Sequence, residues 1–393
     1  MTSSQRRHGR APGGRPFLAS LAAAVMLSGC MNGGILRAPA PTPLPTMAPT
    51  AFPPAPSDPQ PLAFPRDEGP HHRLTEWWYY TGHLETEQGR RFGFEFVIFR
   101  AERGDFPIAW ASHFAITDGG AGMFRYEERF AFGPQVDRSP LGGSFDLAIA
   151  AVATPNVGTP DPAPGASLPW TMAGALGRDR LVASGSPGAI DLTLTTDRPP
   201  VLHDRDGYID LGPAGGTYYY SRTRMAARGT LTLPGQAPFA ADGQAWFDHQ
   251  WGDFIAVGAG GWDWFSVQLE DGRDLTISVV RGPNDAVALI YGTLVAADRS
   301  ARHLAADEIE ITISPHTYWR SPRSGALYPA RWRIELPGED LDLDLLPTMQ
   351  DQELDTTAST GVVYWEGQVV VSGYDRDTFL EGVGYVELTG YVE

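Results

Sequence analysis

Between residues 92 and 99 the large apolar side chains fall on every second position: Phe92, Phe94, Phe96 and Ile98 alternate with Gly93, Glu95, Val97 and Phe99. Residues two apart in an extended chain share a face, so this period predicts a strand. Turn signals such as Glu87-Gln88-Gly89 and Asp271-Gly272 punctuate similar runs, and no long stretch places apolar residues at helical spacing. The alternation Leu341-Asp342-Leu343-Asp344-Leu345 reads as a half-buried strand rather than a calcium cluster. The folded body is therefore predicted to be all-β.

The strand pattern occurs twice. Trp77-Trp78-Tyr79-Tyr80-Thr81-Gly82-His83-Leu84-Glu85, followed by Gly89-Arg90, aligns with Trp262-Asp263-Trp264-Phe265-Ser266-Val267-Gln268-Leu269-Glu270, followed by Gly272-Arg273. A second pair closes each copy: Gly243-Gln244-Ala245-Trp246-Phe247-Asp248 aligns with Gly382-Val383-Gly384-Tyr385-Val386-Glu387. Two blocks in the same order indicate a duplicated unit. The alignment sets Trp78 against Asp263 and His249 against Leu388. The boundaries predicted are residues 67–256 for the first domain and 257–393 for the second, with Thr154 to Pro169 as a loop insertion rich in Pro, Gly and Ala.

Residues 1–30 read as a lipoprotein signal peptide. Arg6, Arg7, Arg10 and Arg15 precede a short apolar segment, Phe17 to Leu27, that ends in Leu27-Ser28-Gly29-Cys30. That ending resembles a bacterial lipobox, which makes Cys30 the expected lipidation site. Residues 31–66 follow as a tether, because 11 of the 28 residues from Ala38 to Pro65 are proline. Cys30 is the only cysteine, so no disulfide within the chain is possible. The expected location is the cell envelope, facing the periplasm, with the outer membrane favoured because Met31 stands where an inner-membrane aspartate would.

A net charge of −17 makes nucleic acid an improbable partner. No G-x-S-x-G elbow occurs, and the histidines show no tight metal-ligand spacing, so neither a metal nor another cofactor is expected. Two constellations remain. Asp263 shares a strand face with Phe265, Val267 and Leu269, which makes it either a desolvated acid able to donate a proton or a partner for an arginine. The corresponding face of copy one carries Glu76, Trp78, Tyr80 and Leu84. In Trp246-Phe247-Asp248-His249-Gln250-Trp251, the residues Phe247, His249 and Trp251 share one face and Trp246, Asp248 and Gln250 the other. Here His249 is a proton relay or a structural histidine beneath aromatic rings.

Together, Thr75 to Leu84, Gly89 to Gly93, His113-Phe114-Ala115, Tyr218 to Ser221, Trp246 to Trp251, Tyr364 to Gly367 and Glu387 to Tyr391 resemble the lipocalin-like carotenoid 1,2-hydratase family, which includes bacterial predicted secreted hydrolases. The resemblance implies two tandem lipocalin-like antiparallel β-barrels, a hydrophobic pocket near their junction, and cofactor-free chemistry on a lipophilic, isoprenoid-type molecule. It also matches His249-x-Trp251 to a functional pair, while Trp262-Asp263-Trp264 stands where the family's acid is expected. The candidate catalytic residues are Asp263, His249 and Asp248; the candidate ligand-binding residues are Glu76, Trp78, Tyr80, Trp251, Trp262 and Trp264. Hydration, hydrolysis or cyclisation is one reading. A non-catalytic lipid carrier anchored to the membrane is the other.

Overall fold

The computed structural model describes residues 58–150, 168–254, 260–282 and 286–392. Cys30, most of the tether, nearly all of the Thr154–Pro169 insertion and the boundary at residue 256 lie outside the described residues.

The first sheet holds twelve strands: β1 (Thr75–Glu85), β2 (Arg91–Ala101), β3 (Ala109–Asp118), β4 (Met123–Phe132), β5 (Phe145–Ile149), β6 (Trp170–Ala175), β7 (Arg178–Gly185), β8 (Gly188–Thr195), β9 (Val201–Leu202), β10 (Tyr208–Asp210), β11 (Gly216–Thr232) and β12 (Phe239–Gly252). The other strands are β13 (Trp262–Leu269), β14 (Asp274–Arg281), β15 (Val287–Val295), β16 (Ala301–Leu304), β17 (Glu310–Ile313), β18 (Tyr318–Arg320), β19 (Leu327–Pro329), β20 (Trp332–Leu336), β21 (Leu341–Pro347), β22 (Glu353–Thr356), β23 (Val362–Asp375) and β24 (Thr378–Thr389). Ten of these form the second sheet, and β18 and β19 pair separately. Among the described residues every pairing is antiparallel, and helix is confined to short 3-10 turns.

Sheet order confirms the duplication. The first sheet runs β4-β3-β2-β1-β12-β11-β8-β7-β6-β5 and the second β16-β15-β14-β13-β24-β23-β21-β20-β17. Both place the opening strand of the copy beside its closing strand. Trp78 sits opposite His249 in β1/β12, and Asp263 opposite Leu388 in β13/β24, the equivalence read from the sequence. One sheet closes almost completely, giving two lipocalin-like barrel domains. Each has its own apolar core: Trp78, Tyr80, Phe96, Trp170 and Trp251 in the first, Phe265, Val267, Trp332, Trp365 and Leu388 in the second. The Leu341–Leu345 alternation is the half-buried strand β21, with Asp342 and Asp344 paired to Arg333 and Arg331.

The middles of the outward faces of β1, β2 and β12 are buried as well as the inward faces, because the other copy covers them there. Tyr79, Val97 and Trp246 from copy one pack with Trp264 and Tyr385 from copy two. Gly93 supplies clearance for this docking: a Cβ there would lie 2.3 Å from the Tyr385 hydroxyl oxygen. Polar latches flank the seam, with Arg224 and Arg198 of copy one paired to the buried Asp274 of copy two.

Residues 58–66, which proline content assigns to the tether, lie against the first barrel. Proline forbids ladder hydrogen bonds there, but side chains fasten the segment instead. Asp58 pairs with Arg73 at 2.7 Å and accepts from the Tyr218 hydroxyl at 2.8 Å, and Phe64 meets Tyr220 edge-on at 4.8 Å.

Candidate active site

Strand alternation sends the sequence candidates to two different places. Odd and even positions of β12 point to opposite faces, so His249 and Trp251 enter the first barrel while Trp246 and Asp248 face the seam.

Inside the first barrel, Glu76 is fully buried and serves as a hub. Its carboxylate accepts from the His71 backbone N–H at 2.9 Å, the His71 Nδ1 at 2.8 Å and the His249 Nε2 at 2.9 Å, with Arg100 Nη1 at 3.8 Å. Trp251 stacks on His71 with centroids 3.9 Å apart, and Trp78 stacks on His249 at 4.7 Å. Burial pushes the Glu76 carboxyl up, but His71 and His249 outweigh it and hold the group at about 2. Burial lowers His249 to about 4, so it is neutral, with Nε2–H donating to Glu76 and Nδ1 facing the Tyr220 hydroxyl at 3.3 Å. Burial also lowers His71, yet Glu76 and Asp67 bring it above the usual imidazole range. The donor atoms of His71, Glu76 and His249 lie within 4.8 Å of one another, a set that suits zinc in kind. Here they bond to each other beside a guanidinium, the arrangement of a hydrogen-bonded ion network. Trp78, Tyr80 and Trp251 are members of the packed core around it.

Asp263 takes the second of its two sequence readings, a partner for an arginine, rather than that of a catalytic donor. It lies inside the second barrel, paired with the Arg281 guanidinium and accepting from the Tyr391 hydroxyl at 3.0 Å. An acid engaged this way anchors the β13–β14 edge and is not a proton donor, and it does not share a site with His249. Trp262 and Trp264, by contrast, do stand at the seam, where Trp264 meets Tyr79 edge-on at 5.4 Å.

The seam gathers four carboxyl groups, three of which the sequence did not single out. Asp248 is 3% exposed; it accepts from the Tyr219 hydroxyl and the Trp246 indole, each at 2.7 Å, and from Ser221. Glu387 takes the equivalent place in copy two, directly opposite Glu366 on β23, and accepts from the Trp262 indole at 3.1 Å. Glu366 accepts from the Tyr79 hydroxyl at 2.8 Å, and Glu95 from the Tyr364 hydroxyl at 2.9 Å. His113 Nδ1 lies 2.7 Å from that same Tyr364 oxygen and its Nε2 lies 3.0 Å from Ser359. Burial keeps His113 neutral, at about 3. One oxygen each of Glu95 and Glu366 is buried with no hydrogen-bonding partner among the described residues.

Desolvation raises all four groups, and mutual repulsion adds to it at Glu366 and Glu387. Burial pushes Glu95 to about 8. Burial, then the charges of Glu95 and Asp248, push Glu387 to about 8, and Glu366 rises well above the usual range for burial and the same neighbours. Asp248 reaches about 7 through burial, moderated by its three donors. The signal for this site was present in the sequence: a glutamate flanked by Val97 and Phe99 on its own strand face does not look onto solvent.

Stability should record these protons. Glu95, Glu387 and Asp248 bind protons in the native state that the unfolded chain releases near its ordinary 3.8 to 4.5, so stability falls as pH rises towards about 8. The neutral His83, His113 and His203, pushed to about 3 by burial, act oppositely, costing stability only below the unfolded value of 6.5. Between about 6.5 and 8 the acids are joined by His71 and by Asp179 of the first barrel, which burial pushes to about 7, and all of them act in the same direction. Denaturation midpoints are expected to fall across that window, less steeply for Glu95→Gln; equal slopes in the two proteins would mean that Glu95 is already ionised.

Residues 55–391 match the family model described as AttH-like. Among solved structures, a protein assigned as AttH from Nitrosomonas europaea superposes with a TM-score of 0.71 at 30% identity, covering 85% of this chain and 98% of its own. Kievitone hydratase from Nectria haematococca superposes with a TM-score of 0.62 at 17% identity, covering 84% and 94%. CghA does so at 0.50 and 12%, covering 80% and 88%. No protein of curated function matches the chain in sequence. The fold is thus the one these structures share.

Proposed function

The chain belongs to the AttH-like family, and from that premise we propose that it is a cofactor-free acid–base enzyme whose seam carboxyl groups add water to a hydrophobic, alkene-bearing small molecule. The observation that carries this reading is the group of buried acids still protonated near neutral pH, with Glu95 at about 8 and one of its oxygens without a partner. A general acid must hold its proton at the working pH and yet be able to release it. In the proposed step the Glu95 O–H bond breaks as a C–H bond forms on the alkene. The aromatic faces of Tyr79, Trp246 and Trp264 offer their π electrons to the resulting cation. Water captures the cation and passes its proton to ionised Asp248, and return of that proton to Glu95 resets the site. The Tyr364 hydroxyl, itself held by neutral His113, supports the Glu95 carboxylate while it lasts.

The test is to incubate purified protein with envelope lipid extracts in D₂O and follow products by mass spectrometry. A product heavier by one water, carrying carbon-bound deuterium, is expected. Recovery of every bound molecule unaltered would instead support the carrier reading, which the partly apolar clefts beside Pro199, Pro200 and Ile209 favour.

The proposal includes an envelope location through acylation of Cys30. Labelled fatty acid is expected to enter the wild-type chain and not Cys30→Ser; equal labelling of both would remove the anchor.

A further inference from the structure

Asp248 is enclosed, yet one line of side chains leads from it to solvent. Ser221 donates to Asp248; the Ser221 hydroxyl lies 2.7 Å from His203 Nε2, and His203 Nδ1 lies 2.9 Å from the Thr293 hydroxyl. Ser221, His203 and Thr293 are each at most 1% exposed. Thr293 also lines a cleft of about 320 Å³, together with Pro199, Val201, Leu202, Arg205, Arg299 and His303. The line therefore starts at this cleft, crosses from copy two to copy one, and ends on a seam acid.

We propose that Thr293, His203 and Ser221 form a proton relay between this cleft and Asp248. Its use in catalysis rests on the acid–base reading above, whereas the path itself is a property of the free protein. Buried histidine with both ring nitrogens engaged is ordinarily a structural residue, but a structural role does not require every donor to point one way. Here the bonds align. With Asp248 accepting, Ser221 must receive from His203 Nε2–H, which leaves Nδ1 to accept from Thr293 Oγ–H. Burial keeps the ring neutral, so one ring nitrogen donates while the other accepts.

Inward transfer balances in three simultaneous shifts. The Ser221 O–H proton moves to Asp248 Oδ1, the His203 Nε2 proton to Ser221, and the Thr293 O–H proton to His203 Nδ1. A hydronium ion in the cleft restores the Thr293 proton and leaves water. The reverse sequence discharges a proton from Asp248 and returns His203 to its first tautomer. No oxidant, metal or charged imidazole is required.

Other charged or titratable groups stand around this path. His303 is the cross-strand neighbour of Thr293, with its Nδ1 3.5 Å from Asp204. Tyr219 packs on the His203 ring at 3.9 Å and donates to Asp248. The backbone around the cleft mouth is held in an unusual state: Asp204, Arg205 and Arg299 are non-glycine residues with φ of 47°, 74° and 75°. Such conformations cost free energy and persist where the surroundings impose them.

The experiment is hydrogen–deuterium exchange of the Asp248 carboxylic acid, read by its infrared carbonyl band after rapid dilution of the full protein into D₂O at a pD of about 6, where the acid form is populated. The band lost in Asp248→Asn identifies the group. In His203→Phe the exchange of that band is expected to slow at least tenfold while the Glu95 band exchanges as in the wild type. Thr293→Val, which removes only the outer hydroxyl, is expected to slow it similarly and decides the matter if His203→Phe does not fold. Exchange at the wild-type rate in a folded variant, or the absence of any Asp248 acid band, would overturn the relay. No substrate enters the measurement, so it can fail while the alkene chemistry stands, and succeed if the protein proves to be a carrier.

Discussion

Turnover of the substrate found in the D₂O assay is expected to fall by roughly 10²- to 10⁴-fold in Glu95→Gln, the range a positioned general acid contributes. Glutamine copies the shape of the neutral acid and can still accept from Tyr364, so packing of the seam is retained while the transferable proton is lost. The loss should fall on kcat, because the proton moves only in the transition state, and KM should change little. The wild-type rate should also decline on the alkaline side near the Glu95 value of about 8. Asp263→Asn is the contrasting variant. Its carboxylate is committed to Arg281 and Tyr391 within the second barrel, so turnover per folded molecule is expected to persist. Full activity in Glu95→Gln would remove Glu95 as the donor, whatever the fate of the other seam acids.

The largest effect on stability is expected from Glu76→Ala. This carboxylate answers the His71 backbone, two imidazoles and a neighbouring guanidinium from a position with no solvent exposure. Removing one member of a buried ionic network costs roughly 3 to 5 kcal/mol, because the remaining charges are stranded in a low-dielectric interior. Guanidinium denaturation monitored by tryptophan fluorescence would measure it. The second barrel indicates how part of the loss could be recovered. It has Leu388 where the first has His249, and Leu388 lies fully buried in an apolar core. Glu76→Ala combined with His249→Leu should therefore be less destabilised than the sum of the single variants. A cost below about 1 kcal/mol for Glu76→Ala would place the network among marginal surface-type ion pairs.

Both predictions depend on the same strands but on opposite faces of them, and the two faces were unequally legible. The inward faces could be read directly. Period two assigned Trp78, Tyr80 and Leu84 to one side of β1, and Phe265, Val267 and Leu269 to one side of β13, and all are buried in their barrels. Residue alignment of the copies survived as strand register, down to Trp78 opposite His249 and Asp263 opposite Leu388. What the apolar face of Asp263 left open was whether the acid is a desolvated donor or the partner of an arginine. Arg281 lies 18 residues from Asp263 in sequence but across the β13–β14 ladder in space.

The sequence by itself determined the all-β class, the duplication and the side of each strand a residue occupies, because these follow from side-chain period and from local similarity. Only the tertiary structure decided that the outward faces would meet, since a strand pattern specifies that a face is apolar and not what covers it. Glu95 and Tyr364 are 269 residues apart, and Tyr79 and Glu366 are 287 apart. Their elevated acid character arises from removal of water when the copies dock and from the proximity of four carboxyl groups. Glu366 and Glu387 already face each other within copy two, but only docking sets Glu95 and Asp248 beside them, so the two units read from the sequence as repeats become the four-acid site only where they touch.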